Sequence, residues 1–252
     1  MIDRTRNGSK MMAAGRAGLA LGLVVTLGAA APATAAYEAG AVANGGSISG
    51  TIRYKGTPPP RATLEVNKDK EACGGAKESR ELVVGADGGI QYVVVSIPGI
   101  AKGKPFPEAK SQLDQKGCEY MPHITVVPAG GEVEIINSDG ILHNIHTYPQ
   151  EKKNAAVNRA QPKFKKTINE KFAQPERIKL ACDVHGWMQG WLIVEDNPYV
   201  AITDDKGNFK ITDIPPGDYE VTIWQEKLGE TKQKVTVPAG GSATVNAELA
   251  GK

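Results

Sequence analysis

The sequence predicts an all-β protein: an antiparallel β-sandwich or barrel followed by a second, smaller β-sandwich module. Three observations carry that expectation. Short alternating or β-branched runs recur along the chain, glycine- and proline-rich turns separate them, and almost no stretch has a helical period. Ile48 to Tyr54 alternates and stops before the run Pro58-Pro59-Pro60. Gln91 to Ile97 is a β-branched run ending at Pro98. His123 to Val127 and Glu132 to Ile136 flank Pro128-Ala129-Gly130-Gly131 as strand, turn and strand. Arg177 to Ala181 and Trp191 to Val194 bracket a short segment that contains Cys182. Only Pro107 to Gln115 reads as a helical turn or two. From Asn197-Pro198 onward a compact unit begins, with strands at Asn208 to Ile211, Lys234 to Val237 and Ala243 to Leu249. Tyr219, Val221 and Ile223 share one face of a further strand there, opposite Glu220 and Thr222.

The first 35 residues read as a secretory signal peptide. Arg4, Arg6, Lys10 and Arg16 precede an apolar run from Ala17 to Ala30, and Ala33-Thr34-Ala35 offers a small-residue cleavage site. The apolar run is too short to span a bilayer, so no stable membrane insertion is expected after cleavage. Residues 1–35 hold four basic residues and one acid, so their removal takes the formal charge from +2 to about −1. That near-neutral balance points to no nucleic-acid partner. The expected division is signal peptide 1–35, flexible linker 36–46, first domain 47–197 and second module 198–252. Export to the periplasm or beyond fits a cysteine pair. Cys73 and Cys118, each beside glycine in a polar segment, are expected to form a disulfide, which leaves Cys182 over.

Only four histidines occur, His123, His143, His146 and His185, and all lie within one 63-residue stretch. The densest cluster is Cys182-Asp183-Val184-His185-Gly186-Trp187-Met188, where thiol, imidazole and thioether stand three residues apart. Two histidines and a cysteine with a weak axial methionine are diagnostic of electron-transfer copper. One loop cannot supply the second, opposed histidine. His143, after the turn-rich Asn137-Ser138-Asp139-Gly140, is the candidate for it. His123 is expected to be structural. His146, separated from His143 by two residues, is expected on the same face as His143, near the site without being a ligand. Four histidines are too few for a multicopper oxidase or nitrite reductase, and one loop cysteine is too few for a dinuclear copper site.

The residues Tyr120-Met121-Pro122-His123, Gly131-Glu132-Val133, Asn137-Ser138-Asp139 and His143-Asn144 resemble the cupredoxin pattern ahead of its first copper histidine. The Cys182-x-x-His185-x-x-Met188 spacing is that of the amicyanin-type ligand loop. The resemblance covers Tyr120 to Glu195 and implies a cupredoxin-like Greek-key β-sandwich holding one mononuclear type 1 copper. By it, His143, Cys182, His185 and Met188 are the ligands and Asn144 ties the two ligand loops together. Val184 stands where that family usually has proline, and Trp187 where a smaller residue is usual. The C-terminal module resembles carboxypeptidase regulatory-like domains through Thr203-Asp204-Asp205-Lys206-Gly207-Asn208-Phe209 and Pro215-Pro216-Gly217-Asp218-Tyr219. Ser49 to Tyr54 also looks like the start of such a module, so the copper unit is either appended to it or inserted within it.

The expected function is one-electron transfer to a protein redox partner, without catalysis. The His185 ring edge would be the electron's exit and Trp187 part of a docking patch. Two other classes stay open: a copper carrier or sequestration protein without electron traffic, and a metal-free adhesion or scaffold protein. The stretch Lys152 to Lys179, with nine basic and two acidic residues, is either a solvated face or a dock for an acidic partner.

Overall fold

A computed structural model describes residues 37–251, so the expected signal peptide lies outside the described residues. Strands dominate, and they build two sandwiches. The first has a four-stranded sheet in the order Tyr120–Met121, Ser111–Gln115, Glu132–Asn137, Thr167–Lys171. Facing it is a five-stranded sheet in the order Ile124–Pro128, Gln189–Glu195, Glu176–Ala181, His143–Pro149, Asn158–Gln161. Leu113, Val133, Ile135 and Ile168 from one sheet meet Val127, Ile145, Ile178, Leu180 and Leu192 from the other in a single buried cluster. Full burial of an aliphatic side chain of this kind contributes about 1.5–3 kcal/mol. Parallel pairings, Ile124–Pro128 with Gln189–Glu195 and Ser111–Gln115 with Glu132–Asn137, stand beside antiparallel ones in an all-β sandwich.

The second sandwich pairs Val200–Ile202, Val94–Ser96, Gly217–Gln225 and Gly229–Val237 in one sheet. The other sheet holds Asn208–Ile214, Gly46–Tyr54 and Ser242–Thr244, and Ala247–Leu249 continues along Gly46–Tyr54. Its sheets therefore draw on both sides of residue 197, and the expected boundary at 197/198 cuts across them. Ile48, Ile52 and Val95 pack in one core with Phe209, Ile211, Val221 and Ile223. The strand-rich first sandwich is inserted between strands of the second. The two meet through Trp191 and Trp224, whose ring centroids lie 4.8 Å apart, and through Glu226, which accepts from the Trp191 indole N–H at 2.8 Å and lies 2.5 Å from His123 Nε2.

Two local expectations are corrected. Pro107 to Gln115 carries no helix; Ser111–Gln115 is a strand with Leu113 and Gln115 buried, because parallel pairing to Glu132–Asn137 overrides a weak local preference. The strand, turn and strand expected around residues 128–131 are present, and the turn carries the chain from one sheet to the other: Gly131 N–H donates to Pro128 O and Gly130, at φ 74°, donates to Phe172 O, both at 2.8 Å. The strand expected over Ala243 to Leu249 is broken at Val245 and Asn246. There the chain crosses over Gly50, where a Cβ would stand 1.7 Å from the Val245 carbonyl oxygen. The one helix among the described residues, Lys70–Cys73, was not foreseen.

Glu195, at the end of Gln189–Glu195, has its carboxyl pushed up to about 7 by burial and then by neighbouring Asp196, partly offset by a Ser96 hydrogen bond and by Arg177. A raised folded-state value means stability that is complete below the ordinary glutamate range and lost as pH rises through about 7. Glu195→Gln should therefore change stability little at pH 5. At pH 8 it should gain about 2 kcal/mol over that, read by denaturant titration. A difference independent of pH would contradict this.

Candidate metal centre

His143 opens the strand His143–Pro149, directly after the turn 138–142. Asn137 shapes that turn: its side-chain N–H donates to Ile141 O at 2.8 Å, and its Oδ1 accepts from Gly140 N–H at 3.3 Å. Cys182 follows the strand Glu176–Ala181, and the loop 182–188 returns into Gln189–Glu195. Two backbone bonds close it, Cys182 N–H to Met188 O at 3.3 Å and Met188 N–H to His185 O at 2.9 Å. Both loops fall at the same end of the sandwich.

The side chains converge there. His143 Nδ1 and His185 Nδ1 are 3.0 Å apart, and Cys182 Sγ lies 3.9 Å from His185 Nδ1. One ligand atom from each of the three lies within 4.8 Å of the other two, and all three residues are buried. Met188, 1% exposed, is in the same buried cluster as Cys182 and Trp187. Asn144 bridges the loops: its Oδ1 accepts from Asp183 N–H at 2.7 Å and from the Cys182 thiol at 3.3 Å, while its Nδ2 donates to Asp183 Oδ2 at 3.0 Å. The Tyr120 hydroxyl donates to Asn144 O at 2.7 Å. Burial, then the nearby Cys182 and Asp183, holds that phenol well above its ordinary range, so it stays a donor.

Two carboxylates fix the imidazoles. His143 Nε2 is 2.8 Å from Asp139 Oδ2, and His185 Nε2 is 2.8 Å from Asp69 Oδ2. Asp139 is itself held by the backbone N–H groups of Gly117, at 2.5 Å, and Cys118, at 2.7 Å. With each Nε2–H given to a carboxylate, a neutral imidazole presents a bare lone pair at Nδ1. Burial keeps His143 below its ordinary value, partly offset by the Asp139 hydrogen bond. Two such lone pairs facing each other at 3.0 Å repel unless a proton or a metal cation is shared between them. A histidine whose other nitrogen donates to a carboxylate is the usual arrangement of a metal ligand. The donor set, two imidazole nitrogens with a cysteine sulfur, fits copper.

Other expectations are corrected. His185 is 0% exposed and Trp187 9%, so neither offers an exit edge or a docking patch. They are covered by a segment far away in sequence: Asp69 precedes the helix Lys70–Cys73, and Cys73 is joined to Cys118. Trp187 Nε1–H donates to Cys118 O at 3.1 Å. His146 does not share the face of His143, because an interval of three positions turns the pleat outward. Partly exposed, it stacks on Tyr148 and its Nδ1 lies 3.0 Å from Asp183 Oδ1. Asp69 and Asp139 were missed as site residues. Asp139 stood in a segment read as a turn and as part of the family resemblance, with no role given to its carboxylate, and nothing in the sequence links Asp69 to a histidine 116 residues away.

Fold and site together define an all-β sandwich whose loop end brings His143, Cys182 and His185 together, inserted between strands of a second β-sandwich. Residues 193–250 match the family profile of the carboxypeptidase regulatory-like domain. Among curated protein sequences none matches this chain. Among solved structures, the chain is similar to a reduced mutant of amicyanin, at 22% identity over 40% of this chain and 98% of that one, with a TM-score of 0.31. It is also similar to a purple cupredoxin from Nitrosopumilus maritimus, at 19% identity over 34% of this chain and 100% of that one, TM-score 0.29. A third similarity is to a copper-containing nitrite reductase from Thermus scotoductus SA-01, at 19% identity and TM-score 0.29. It covers 36% of this chain and 23% of the reductase, so this chain spans about a quarter of that relative.

Proposed function

We propose that this chain is an exported type 1 copper protein that carries single electrons between protein redox partners and transforms no substrate. The observation that carries this reading is the approach of His143 Nδ1 and His185 Nδ1 to 3.0 Å beside the Cys182 sulfur. Copper held there would supply a one-electron change between Cu(I) and Cu(II). The residues of the chain prepare for it. Cys182 gives a soft donor, Asn144 and the backbone of Asp183 hold its loop, and Asp139 and Asp69 lock both rings so that little moves when charge changes. Met188 is the candidate axial ligand that would tune the potential. Export is supported by the Cys73–Cys118 disulfide. Among the described residues no helix is long and apolar enough to cross a membrane.

A copper carrier is the second reading, favoured by one observation: His143, Cys182 and His185 are all enclosed, at 0–2% exposure. Titration of the purified protein with Cu(II), followed by voltammetry, separates the two. An intense thiolate-to-copper absorption with a reversible one-electron wave supports transfer. Tight Cu(I) retention without cycling supports carriage, and failure to retain any metal favours a scaffold. Asp69 gives a graded check. Its carboxylate makes the His185 imidazole a stronger donor, which favours the more highly charged Cu(II). Asp69→Asn should therefore raise the midpoint potential, and a fall would contradict the role assigned to it.

A further inference from the structure

The end of the sandwich nearest His143 carries an apolar and basic patch that nothing in the described chain covers. Phe164 is 86% exposed and Leu142 45%. Phe164 lies between Lys163 and Lys165-Lys166, all exposed. Lys153, Arg159 and Arg177 of the same basic stretch have carboxylate partners. Among the described residues no carboxylate lies within 4.0 Å of the Lys163, Lys165 or Lys166 ammonium groups. Asn137 holds the two loops together: its backbone N–H donates to Lys166 O at 2.8 Å, and its side chain donates to Ile141 O at 2.8 Å and Gln161 O at 3.0 Å. Leu142 is one peptide bond from His143. At the other histidine, Asp69 and Trp187 stand over the ring edge.

We infer that the loops 139–142 and 162–166 form the docking surface for the redox partner, and that the partner presents acidic groups around an apolar centre. This rests on the electron-carrier reading above. Three unpaired ammonium groups beside two exposed apolar side chains set that complementarity: the charges steer the encounter and Phe164 and Leu142 anchor it. The short covalent path from the His143 ring through its own backbone to Leu142 replaces the covered His185 edge as the exit. In each encounter one electron leaves the reduced site, the acceptor gains one electron, and no atom or proton changes hands. A membrane surface fits less well, since two apolar side chains and three lysines make a weak anchor and stable binding takes two strong signals.

Two probes test the surface. The redox-inert anion hexacyanochromate(III), added to the copper-free mature protein, should broaden the amide NMR signals of residues 139–142 and 162–166. A Lys163→Glu, Lys165→Glu double variant should abolish that broadening while leaving the rest of the spectrum in place. Broadening centred on residues 65–75, or unchanged in the variant, overturns the assignment. With the copper-loaded, reduced protein, hexacyanoferrate(III) should take the electron roughly tenfold more slowly from the double variant than from the parent, and more slowly as salt rises. Lys227→Glu, on the other sandwich, should leave the rate within twofold, about the scatter of a remote surface charge. Equal rates in parent and double variant overturn the docking surface. Absence of any oxidisable copper instead overturns the electron-transfer reading, and with it the docking proposal. Co-sedimentation with phosphatidylglycerol vesicles that is lost in Phe164→Ala would overturn the protein-docking reading in favour of a membrane contact.

Discussion

Cys182→Ser is expected to abolish the intense visible absorption that the proposed site would give when loaded with copper, and to weaken copper binding by at least about 100-fold, more than is typical for loss of a supporting group. Cys182 is the one free cysteine among the described residues and is 2% exposed. A thiolate donates charge to Cu(II), and a serine hydroxyl stays protonated and hard at neutral pH. The swap barely changes volume, so the sandwich around Leu180, Met188 and Trp187 should keep its fold. An unchanged denaturation midpoint in the metal-free variant would confirm that the loss is chemical. His143→Ala would open a cavity and is the poorer test. A band of full intensity in Cys182→Ser would show that the sulfur is not a ligand.

Joint replacement of Cys73 and Cys118 by alanine is expected to lower stability by about 4 kcal/mol in the chain-entropy treatment, since the bond closes a loop with a sequence separation of 45. The same change has a local consequence. Cys118 anchors Trp187 through its carbonyl, and its own N–H, with that of Gly117, holds Asp139. Cys73 ends the helix that begins beside Asp69, the residue over His185. Loosening that segment should expose the His185 ring, and diethylpyrocarbonate should modify it faster in the metal-free variant than in the parent. Urea titration reads the stability. A loss under about 1 kcal/mol with His185 still protected would contradict the view that the bond holds the cover in place.

Much of this was legible in the sequence because it is local. Alternation in Glu132–Asn137 encodes a strand whose buried residues Val133, Ile135 and Asn137 fall on one face, and Tyr219, Val221 and Ile223 share a core-facing side of Gly217–Gln225. The cysteine, histidine and methionine of residues 182–188 are close by covalent connection, and one further histidine at a turn completes the set. What the sequence concealed is long-range. Gly46–Tyr54 pairs with Asn208–Ile214 across about 160 intervening residues, so a linear division into domains misplaced the N-terminal strands. Thr63–Leu64, Lys77–Glu78 and Val83–Val84 are two-residue strands, too short to leave a period. The cover over His185 comes from that same weakly patterned stretch, and a loop's own residues carry no record of what packs on top of them. His146 faces away from His143 because three positions along a strand are an odd number of steps of the pleat.

The central claim is that one copper ion takes both His143 and His185 nitrogens together with the Cys182 sulfur. X-ray absorption at the copper edge, on the loaded protein in solution, measures it directly. The account predicts scattering from two imidazoles and one short copper–sulfur path, with that sulfur path missing in Cys182→Ser. A first shell of nitrogen and oxygen alone in the parent protein would contradict it.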